Sequence, residues 1–408
     1  MGELQSRRLE SDGGNAASDP VILHVVHTLE HGGTERFLCQ LLNRLAGHGM
    51  RHVVCTLRAA GARAEQLDRR ITVHALNLPD RSPTGFLRLA RIIRQEGAGV
   101  VHARNPGTWT DTLLAGRVAR RPRLALGFHG LQAQAQFDVS LRRRLRALGS
   151  LRHTFTTVSH AGKAQLVDDL GCHPEAIHVL GNGVDPYRFR PPTPQQQRSA
   201  RGRLGVGPDE LAIGTVGNLF SPVKGHRVLI DAMSRLLQAV PYARLLLAGF
   251  GPLRDELEAQ AGSLGIAERV HFLGDLANPA ELLAALDLYV CPSLSEGMSN
   301  ALLEAMSCGR ACVATDVADH RRMFQRIAAV DLLVPPNDAE ALAAAMQRVL
   351  QDAALRETLG TAARRRVETD YPFEQAVAGY ARFYRSLLPD TPLGVAPDDP
   401  VEVSRCLS

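Results

Sequence analysis

The stretch that decides the fold is Ser295-Glu296-Gly297-Met298-Ser299-Asn300-Ala301-Leu302-Leu303-Glu304-Ala305-Met306. It follows a short apolar run, residues 288–291, that is typical of a buried strand. Glu296 lies in the loop after this run, and Glu304 lies within the helix that the pattern predicts from Ser299 onward. The open N–H groups of a first helical turn attract an anion such as a diphosphate, and carboxylates on either side suit the hydroxyl groups of a ribose and a sugar. From spacing alone, an ordinary surface helix with two solvated glutamates explains the pattern equally well.

Similar apolar runs recur along the chain, each followed by a helical pattern or a turn. They occupy residues 21–26, 52–56, 73–76, 100–102, 124–128, 155–159, 177–180, 211–216, 243–248, 270–273, 288–291, 311–315 and 332–335. Because most of these runs are continuous rather than alternating, they indicate parallel sheets covered by helices on both faces. Ligands in such sheets bind outside the carboxyl ends of the strands.

The domain organisation follows from length and from the breaks in this pattern. A chain of 408 residues is too long for one core, and the Pro- and Gln-rich stretch at 189–197 is suited to a linker. We therefore predict an α/β fold with two Rossmann-like domains, at 21–190 and 191–372, whose parallel sheets face each other across a cleft. An apolar stripe predicts that a helix over 373–388 packs back on the first domain. We expect a disordered leader at 1–20 and a disordered tail at 389–408.

The amino-acid composition excludes several kinds of partner and site. The net charge is +5, aromatic residues make up 5% of the chain, and no basic stretch is interleaved with aromatics, so nucleic acid is not an expected partner. The seven cysteines lack the spacing of a disulfide framework or a zinc site, which predicts reduced thiols, no metal site and a cytoplasmic protein. The sequence contains neither a signal-peptide pattern nor an apolar run of the roughly 18 residues that would span a bilayer.

Three glycine-containing loops follow predicted strands and are candidates for phosphate binding. Gly32 and Gly33 precede the first predicted helix, where a backbone without side chains allows close approach of a ligand. Lys224 stands beside a glycine at the corresponding place in the second half, and a lysine there suits a phosphate. Gly249 and Gly251 form a third turn. None of the three loops is a dinucleotide fingerprint or a Walker A loop, and a plain turn remains the alternative for each.

Two further positions attract attention at strand ends. His129 follows the run 124–128, where an imidazole can bond a substrate hydroxyl, although a structural histidine is the more frequent case. Asn182-Gly183-Val184-Asp185, with Phe189 and Pro191 after it, lies at the exit of the first domain and reads by itself as an Asn-Gly turn.

Taken together, these motifs resemble the retaining glycosyltransferases of family 4, which have the GT-B fold. The resemblance runs from about residue 21 to residue 388, nearly the whole chain. Its most specific element is E-G-x-x-N-x-x-x-E-A-M-x-x-G at 296–309, followed by N-G-V-D-x-x-x-F-x-P at 182–191. The Gly-Gly-x-Glu loop at 32–35 is similar to that of the subgroup that builds bacterial exopolysaccharides and related surface glycans.

The resemblance implies a role for each site residue. Glu296 would contact the donor sugar, Glu304 the ribose and Lys224 the diphosphate. Further implied roles are Gly33 at the donor phosphate, His129 at the transferring sugar, and Asn300 and Ala301 where backbone amides meet phosphate. The implied chemistry is a metal-independent hexosyl or N-acetylhexosaminyl transfer without a cofactor, by front-side attack in which the leaving diphosphate takes the acceptor proton and Lys224 stabilises its charge.

This sequence departs from the family pattern at two places. The family usually has an arginine beside the glycine that begins the lysine-bearing loop, and here Asn218 stands there, which can hydrogen-bond a phosphate but brings no charge. After Asp316 the family often has Gly-Gly-x-Pro-Glu, whereas this chain has Val317-Ala318-Asp319-His320-Arg321. The first departure keeps one non-enzymatic alternative open, a degenerate transferase that serves as a binding or scaffold protein. A nucleotide-sugar epimerase of the same fold is the enzymatic alternative.

A short basic stretch bears on the acceptor and on localisation. It contains Arg142, Arg143, Arg144 and Arg146 within the first domain. In transferases of this type the first domain holds the acceptor, which would be a sugar or a lipid-linked glycan. A lipid-linked acceptor would bring the enzyme to the inner face of the plasma membrane, where arginines are attracted to anionic lipid. A solvated arginine-rich face is the alternative.

Overall fold

The computed structural model describes residues 19–30, 32–79, 82–119, 122–130, 139–149, 151, 153–276, 278–327 and 332–388. Most of the predicted leader and all of the predicted tail, with Cys406, lie outside the described residues. Within them the fold prediction is confirmed, because the strands form two parallel sheets, one in each half of the chain.

The first sheet has seven strands in the order β3-β2-β1-β4-β5-β6-β7, all parallel. The bounds are β1 Val21–Val26, β2 Arg51–Thr56, β3 Thr72–Ala75, β4 Val100–Ala103, β5 Arg123–Phe128, β6 Thr154–Thr157 and β7 Ile177–Val179. Every residue of β1 and of β4 is buried, as expected for central strands covered on both faces. Each strand overlaps a predicted apolar run.

The second sheet has six strands in the order β10-β9-β8-β11-β12-β13, also parallel. The bounds are β8 Leu211–Val216, β9 Ala243–Ala248, β10 Val270–Gly274, β11 Leu288–Cys291, β12 Ala311–Thr315 and β13 Leu333–Val334. In both sheets the strand order reverses beside the first strand of the domain, β1 and β8. Such switch points create crevices at the carboxyl ends of the strands.

The α-helices cover the sheets and connect their strands. In the first half the bounds are α1 Gly33–Leu45, α2 Gly85–Glu96, α3 Pro106–Val118, α4 Val139–Ala147 and α5 His160–Leu170. In the second half they are α6 Pro194–Arg203, α7 His226–Leu236, α8 Arg254–Ser263, α9 Pro279–Ala285, α10 Asn300–Ser307, α11 His320–Met323, α12 Ala339–Gln351, α13 Ala353–Asp370 and α14 Phe373–Leu387. Across the described residues, we find no helix with the length and apolarity needed to cross a membrane.

The predicted linker at 189–197 is only partly extended, since α6 begins within it at Pro194. The Thr193 hydroxyl accepts the Gln196 N–H at 3.2 Å, and the Gln196 side chain accepts the Thr193 N–H at 2.9 Å. This reciprocal capping box, with proline in the first turn, starts the helix despite the linker-like composition. Phe189, just before it, is buried in the core of the second domain.

The chain crosses between the domains twice, and the two crossings are paired. Val184 on the first crossing forms a parallel bridge with Pro372 on the second. Its N–H donates to Tyr371 O at 3.0 Å, and its carbonyl accepts the Phe373 N–H at 3.1 Å. A side chain on Gly183 would lie 2.8 Å from the Phe373 Cα, so this approach requires the glycine. The Asn-Gly element at 182–183 therefore serves the domain junction.

After the second crossing, α14 packs against the first sheet. Its apolar face forms one core cluster with residues of β1, α1 and β4. Between helix and sheet lies a buried polar layer in which Tyr384 OH bonds His102 Nδ1 at 2.9 Å and Arg104 Nη1 at 3.3 Å. The Arg104 guanidinium also lies 5.2 Å from the ring centroid of Tyr380. No carboxylate pairs with Arg104 within the described ranges, so hydroxyls, an imidazole and a ring face support this charge.

These buried imidazoles make the stability of the fold depend on pH. Burial lowers the pKa of His24, His52 and His102, to about 4 for His52. In the unfolded chain the same rings titrate near pH 6.5, so below that pH the unfolded state binds more protons. We expect the free energy of unfolding to fall between about pH 6.5 and 5.5, by up to about 1.4 kcal/mol per pH unit for each ring.

Urea denaturation at about pH 7.5, 6.5 and 5.5 measures this slope, in a window that lies above the titration of most carboxyls. His52→Asn should make the slope shallower by the share of one ring. His173→Asn, at an exposed position of the same domain, serves as the matched control and should leave it unchanged. Equal slopes in wild type and the His52 variant would contradict the assignment.

Candidate active site

A cleft of about 400 Å³ lies between the domains, at the carboxyl ends of both sheets. Segments after β1, β2, β5 and β7 line it from the first domain, and segments after β8, β9, β10 and β11 line it from the second. Most of the site residues singled out in the sequence lie on its walls. They are Gly32, Gly33, His129, Asn218, Lys224, Gly249, Glu296, Asn300 and Ala301.

Two helices from different domains begin at this cleft, next to each other. Asn300, the first residue of α10, donates from Nδ2 to the carbonyl of Gly33, the first residue of α1, at 3.1 Å. The Ser299 hydroxyl caps α10 by accepting the Leu302 N–H at 3.3 Å. The two N-termini and their partial positive charges thus face one space, which suits an anion.

Lys224 and Glu296 form an ion pair within the second domain. The Lys224 ammonium donates to Glu296 Oε1 at 2.7 Å, and the Ser293 hydroxyl donates to the same oxygen at 2.8 Å. Burial alone would raise the pKa of Glu296, but Lys224 and its neighbours hold that pKa below its ordinary value. Glu296 is therefore ionised at neutral pH. Its Oε2 has no partner among the residues described here and can accept a bond from a ligand hydroxyl.

A second layer of polar groups lies behind Glu296. His320 is fully buried and donates from Nδ1 to the Thr315 carbonyl at 2.8 Å. Burial by itself would lower the pKa of His320, but the Cys291 thiol and the Glu296 carboxylate raise it to about 8. The segment after Asp316, one of the departures from the family pattern, thus supplies a buried imidazole that interacts electrostatically with Glu296.

His129 approaches the cleft from the first domain. A side chain on Gly297 would lie 2.3 Å from the His129 carbonyl, so the loop that carries Glu296 packs directly against it. Burial first, and the charge of Arg104 second, hold the pKa of His129 well below its ordinary value. The ring is neutral, and its buried Nε2 has no protein partner among the described residues. A neutral imidazole of this kind can bond a substrate hydroxyl without carrying charge.

The glycines of the turn after β9 allow this turn to pack closely against the loop after β8. A side chain on Gly249 would lie 1.8 Å from the Gly217 carbonyl, and one on Gly251 would lie 2.4 Å from the Leu219 backbone. Gly249 lines the cleft, whereas Gly251 is not among the lining residues and packs only against the neighbouring loop. The Asn218 carboxamide accepts the Phe220 N–H at 3.3 Å and so stabilises the same turn.

Glu304 lies beside the cleft rather than on its wall. Arg36, on α1 of the other domain, forms an ion pair with Glu304 Oε1, while Oε2 is buried without a hydrogen-bond partner in the part of the chain that the structure describes. Both residues line an adjacent void of only about 10 Å³. Burial raises the pKa of the Glu304 carboxyl, and Arg36 offsets part of that rise. A ribose at Glu304 would therefore have to displace or rearrange the Arg36 contact.

Some residues of the site carry no signal in the sequence. Arg36 directly follows the glycine loop at 32–35, and its position on the first turns of a predicted helix is the one cue that the sequence offers. Arg63, which lines the cleft, belongs to a short 3-10 segment without a motif. Asp319 accepts the His160 N–H at 2.8 Å and the Ala161 N–H at 3.1 Å, so the second domain caps α5 of the first.

The cysteines and the possible metal ligands complete the description of the site. Six cysteines are free and buried, at positions 39, 55, 172, 291, 308 and 312. In the same described ranges, no cluster of three or more His, Cys, Asp or Glu side chains could hold a metal ion.

Comparison with known proteins gives matches along both domains. Residues 31–188 match the family model described as Glycosyltransferase Family 4, and residues 210–352 match the one described as Glycosyl transferases group 1. The chain is 28% identical to the putative glycosyltransferase EpsF of Bacillus subtilis over 74% of this chain and 80% of that protein. It is also 28% identical to a GDP-mannose-dependent monoacylated alpha-(1-6)-phosphatidylinositol monomannoside mannosyltransferase of Corynebacterium glutamicum, over 72% and 78%.

Solved structures with the same architecture cover nearly the whole chain. A glycosyltransferase from Rickettsia africae superposes with a TM-score of 0.79 at 20% identity, over 92% of this chain and all of that one. Anabaena HepE, solved in complex with UDP and glucose, superposes with a TM-score of 0.76 at 24% identity, over 90% and 99%. At these identities the likeness establishes the fold.

The position of Lys224 depends on the glycine that follows it. Gly225 has φ of 70°, and a side chain there would lie 1.9 Å from the Pro292 carbonyl. Gly225→Ala should therefore shift the loop, move Lys224 away from Glu296 and weaken the binding of a nucleotide diphosphate. Gly205→Ala is the matched control, because Gly205 has φ of 67° with open space around it.

Both variants carry the strain of a left-handed alanine, about 1–2 kcal/mol. Urea denaturation and nucleotide titration of the two variants separate the effect of backbone strain from the effect of moving Lys224. The Gly225 variant should lose more stability than the control, and only that variant should lose nucleotide affinity. Equal behaviour of the two variants would show that the contact with Pro292 does not position the lysine.

Proposed function

Because this chain is a glycosyltransferase of the family 4 type with the GT-B fold, we propose that it transfers a sugar from a nucleotide-diphosphate sugar to a hydroxyl acceptor, with retention at the anomeric carbon. The sugar is a hexosyl or N-acetylhexosaminyl group, and the acceptor is a sugar or a lipid-linked glycan. The reaction serves polysaccharide or surface-glycan assembly and uses no metal ion.

One observation carries this proposal. The N-termini of α1 and α10 meet across the domain boundary, 3.1 Å from Asn300 Nδ2 to the Gly33 carbonyl, in the cleft that also contains the Lys224–Glu296 pair. Helix N-termini and a lysine suit a diphosphate, and buried acceptors on both sides suit hydroxyl groups. A nucleotide-diphosphate sugar contains these groups in that order.

Each of the named residues then has its own role in the transfer. Lys224 and the α10 N-terminus stabilise charge on the leaving diphosphate, where developing charge in a desolvated site is stabilised most effectively. Glu296 Oε2 and the neutral His129 ring bond hydroxyl groups of the transferring sugar, and Glu304 bonds the ribose. In front-side attack the acceptor hydroxyl gives its proton to the departing phosphate oxygen, so no protein carboxylate is required as a nucleophile.

The relatives support the substrate classes. The Bacillus subtilis relative is named a putative glycosyltransferase, the Corynebacterium relative is named for GDP-mannose and an acylated phosphatidylinositol mannoside, and Anabaena HepE was solved with UDP and glucose. A nucleotide sugar as donor and a lipid-linked glycan as acceptor fit these names. We place the reaction in the cytoplasm, at the inner face of the plasma membrane.

A thermal-shift screen of UDP-, GDP-, ADP- and dTDP-sugars identifies the donor. A ligand that binds only the folded state stabilises it by about 2.7 kcal/mol at a hundredfold excess over its Kd, which separates a true donor from the others. Turnover with an acceptor extract should then release free nucleotide diphosphate, and NMR of the product should show the donor's anomeric configuration. Solvent isotope at carbon 2 of the sugar would instead indicate an epimerase, and binding without turnover a scaffold protein.

Substitutions of the two carboxylates should have different kinetic effects. Glu304→Gln should raise the donor KM, because a ribose bond is made in ground state and transition state alike. Glu296→Gln should mainly lower kcat, because the contact lies at the reacting sugar. Each lost charged hydrogen bond is worth about 1.5–3 kcal/mol. Glu340→Gln, exposed on α12, is the control, and wild-type kinetics in both site variants would remove these roles.

The basic stretch is helix α4, and its arginines are not equivalent. Arg142 donates to the Asp169 carbonyl at 3.3 Å and Arg146 to the Leu170 carbonyl at 3.2 Å, so both support the C-terminal end of α5. Arg143 and Arg144 are exposed on the same helix. The attraction to an anionic membrane surface therefore depends chiefly on these two, at about 1 kcal/mol each.

Vesicle co-sedimentation tests this surface. Arg143→Gln with Arg144→Gln should reduce binding to vesicles that contain anionic lipid, and binding of the wild type should fade at high salt. Arg88→Gln with Arg91→Gln on α2 removes the same charge from another exposed face of the first domain and is the control. Equal sedimentation of both double variants, or binding to neutral vesicles, would assign membrane contact elsewhere.

A further inference from the structure

The cationic side chains of the cleft differ in how far they are already neutralised. Three arginine or lysine residues line it in the described part of the chain, Arg36, Arg63 and Lys224. Lys224 is paired with Glu296 and Arg36 with Glu304. Arg63 forms no ion pair within the described residues, and its Nε is buried without a hydrogen-bond partner. Arg63 is thus the cleft cation without a direct ion pair among the described residues.

The backbone of Arg63 is fixed to the first sheet. Its N–H donates to the Leu29 carbonyl at 2.9 Å, and its carbonyl accepts the Cys39 thiol at 3.7 Å. Just before it, a side chain on Gly61 would lie 2.4 Å from the Leu29 backbone, so the 3-10 segment lies directly on the loop after β1. Leu29 is fully buried. The guanidinium therefore starts from a rigid base, which reduces the entropy lost on binding a ligand.

The immediate surroundings direct Arg63 toward the start of α1. The carboxyl of Glu35 lies over Gly32, where an added side chain would come within 2.2 Å of Glu35 Oε2. Burial raises the pKa of Glu35, while the charge of Arg63 acts in the opposite direction. The two groups therefore interact through space without a direct ion pair. Arg63, Glu35 and Gly32 all line the same side of the cleft.

The negative charge of a bound diphosphate has to be neutralised by positive groups within this cleft. The Lys224–Glu296 pair carries no net charge, and Asn218 contributes a hydrogen-bonding side chain whose oxygen is already used within its own turn. A nucleotide diphosphate brings at least two negative charges into the cleft, and burying them without a counter-charge is costly. A guanidinium offers several donors in a planar fork that fits phosphate oxygens.

We propose that Arg63 is the diphosphate-binding cation that the first domain contributes, with its guanidinium on the phosphate next to the transferring sugar. This inference rests on the proposed function and adds to it a contact from the opposite domain. A donor held in this way binds Lys224 on one wall and Arg63 on the other. Its diphosphate thereby bridges the two domains, and the charge that develops on the leaving group is shared between them.

Calorimetric titration with UDP, GDP, UMP and GMP tests the assignment. The variants are Arg63→Gln, Arg63→Lys and the control Arg69→Gln, which is exposed shortly after Arg63 in the chain. Arg63→Gln should weaken the nucleoside diphosphate that the wild type prefers by about ten- to hundredfold, and the matching monophosphate by less than about twofold. Arg63→Lys keeps a charge and should lose less, and Arg69→Gln should bind as wild type does.

The outcomes separate the inference from the function on which it rests. If the wild type binds neither UDP nor GDP, the proposed function fails and the role of Arg63 fails with it. If the wild type and Arg63→Gln bind the diphosphate equally, the function stands and Arg63 is excluded. An equal loss for diphosphate and monophosphate would also overturn the inference. Urea denaturation of each variant shows whether it is folded, and the lysine variant supplies the comparison if the glutamine variant is not.

Discussion

The pairing of the two interdomain crossings is the constraint on which the site depends. Val184 and Pro372 lie side by side, and the backbone of Val184 bonds Tyr371 on one side and Phe373 on the other. Two separate connections would each allow the domains to rotate, whereas a hydrogen-bonded pair acts as one short, stiff junction. Because the cleft opens beside this junction, small changes there would be magnified at the loops that face each other across it.

The charges that line the interdomain cleft are only partly neutralised by one another. The protein pairs two of its cleft cations with its own carboxylates, and one of those pairs joins the domains. At the same time several buried acceptors or ring nitrogens have no partner among the residues that the structure describes, namely Glu304 Oε2, Asn300 Oδ1 and His129 Nε2. Such atoms are costly to bury unless a ligand supplies the missing bonds. The arrangement favours a molecule with hydroxyl groups on both sides of an anionic centre.

The sequence predicted the strands well because the central ones are short, apolar and buried. A fully buried parallel strand such as β1 leaves a continuous apolar run, which needs no knowledge of its neighbours in space. The glycine and glutamate positions of the cleft were also accessible, since close backbone approach and strand-end placement are local properties. The start of α6 at Pro194 was missed because proline and glutamine suggested an extended linker, although Thr193 and Gln196 carry the capping signal.

The remaining features of the site could not be predicted because they depend on contacts that are distant in the chain. Arg36 and Glu304 are 268 positions apart, and Asp319 caps a helix that begins 159 positions earlier. The raised pKa of His320 follows from the arrangement of Cys291 and Glu296 around it, and no residue pattern encodes that arrangement. Arg63 lies on a segment without periodicity, and only its position on the cleft wall distinguishes it from other arginines.

Helix α14 has a consequence for how this chain is made. It completes the core of the first domain, yet it is the last helix in the described chain, and its Tyr384 follows its partner His102 by 282 positions. At ribosomal rates of about 5–20 residues per second, that interval lasts roughly 15 to 55 seconds. Throughout it one face of the nascent first sheet has the cover of α1 but lacks that of α14. The domain that is synthesised first therefore cannot complete its core until α14 has been synthesised as well.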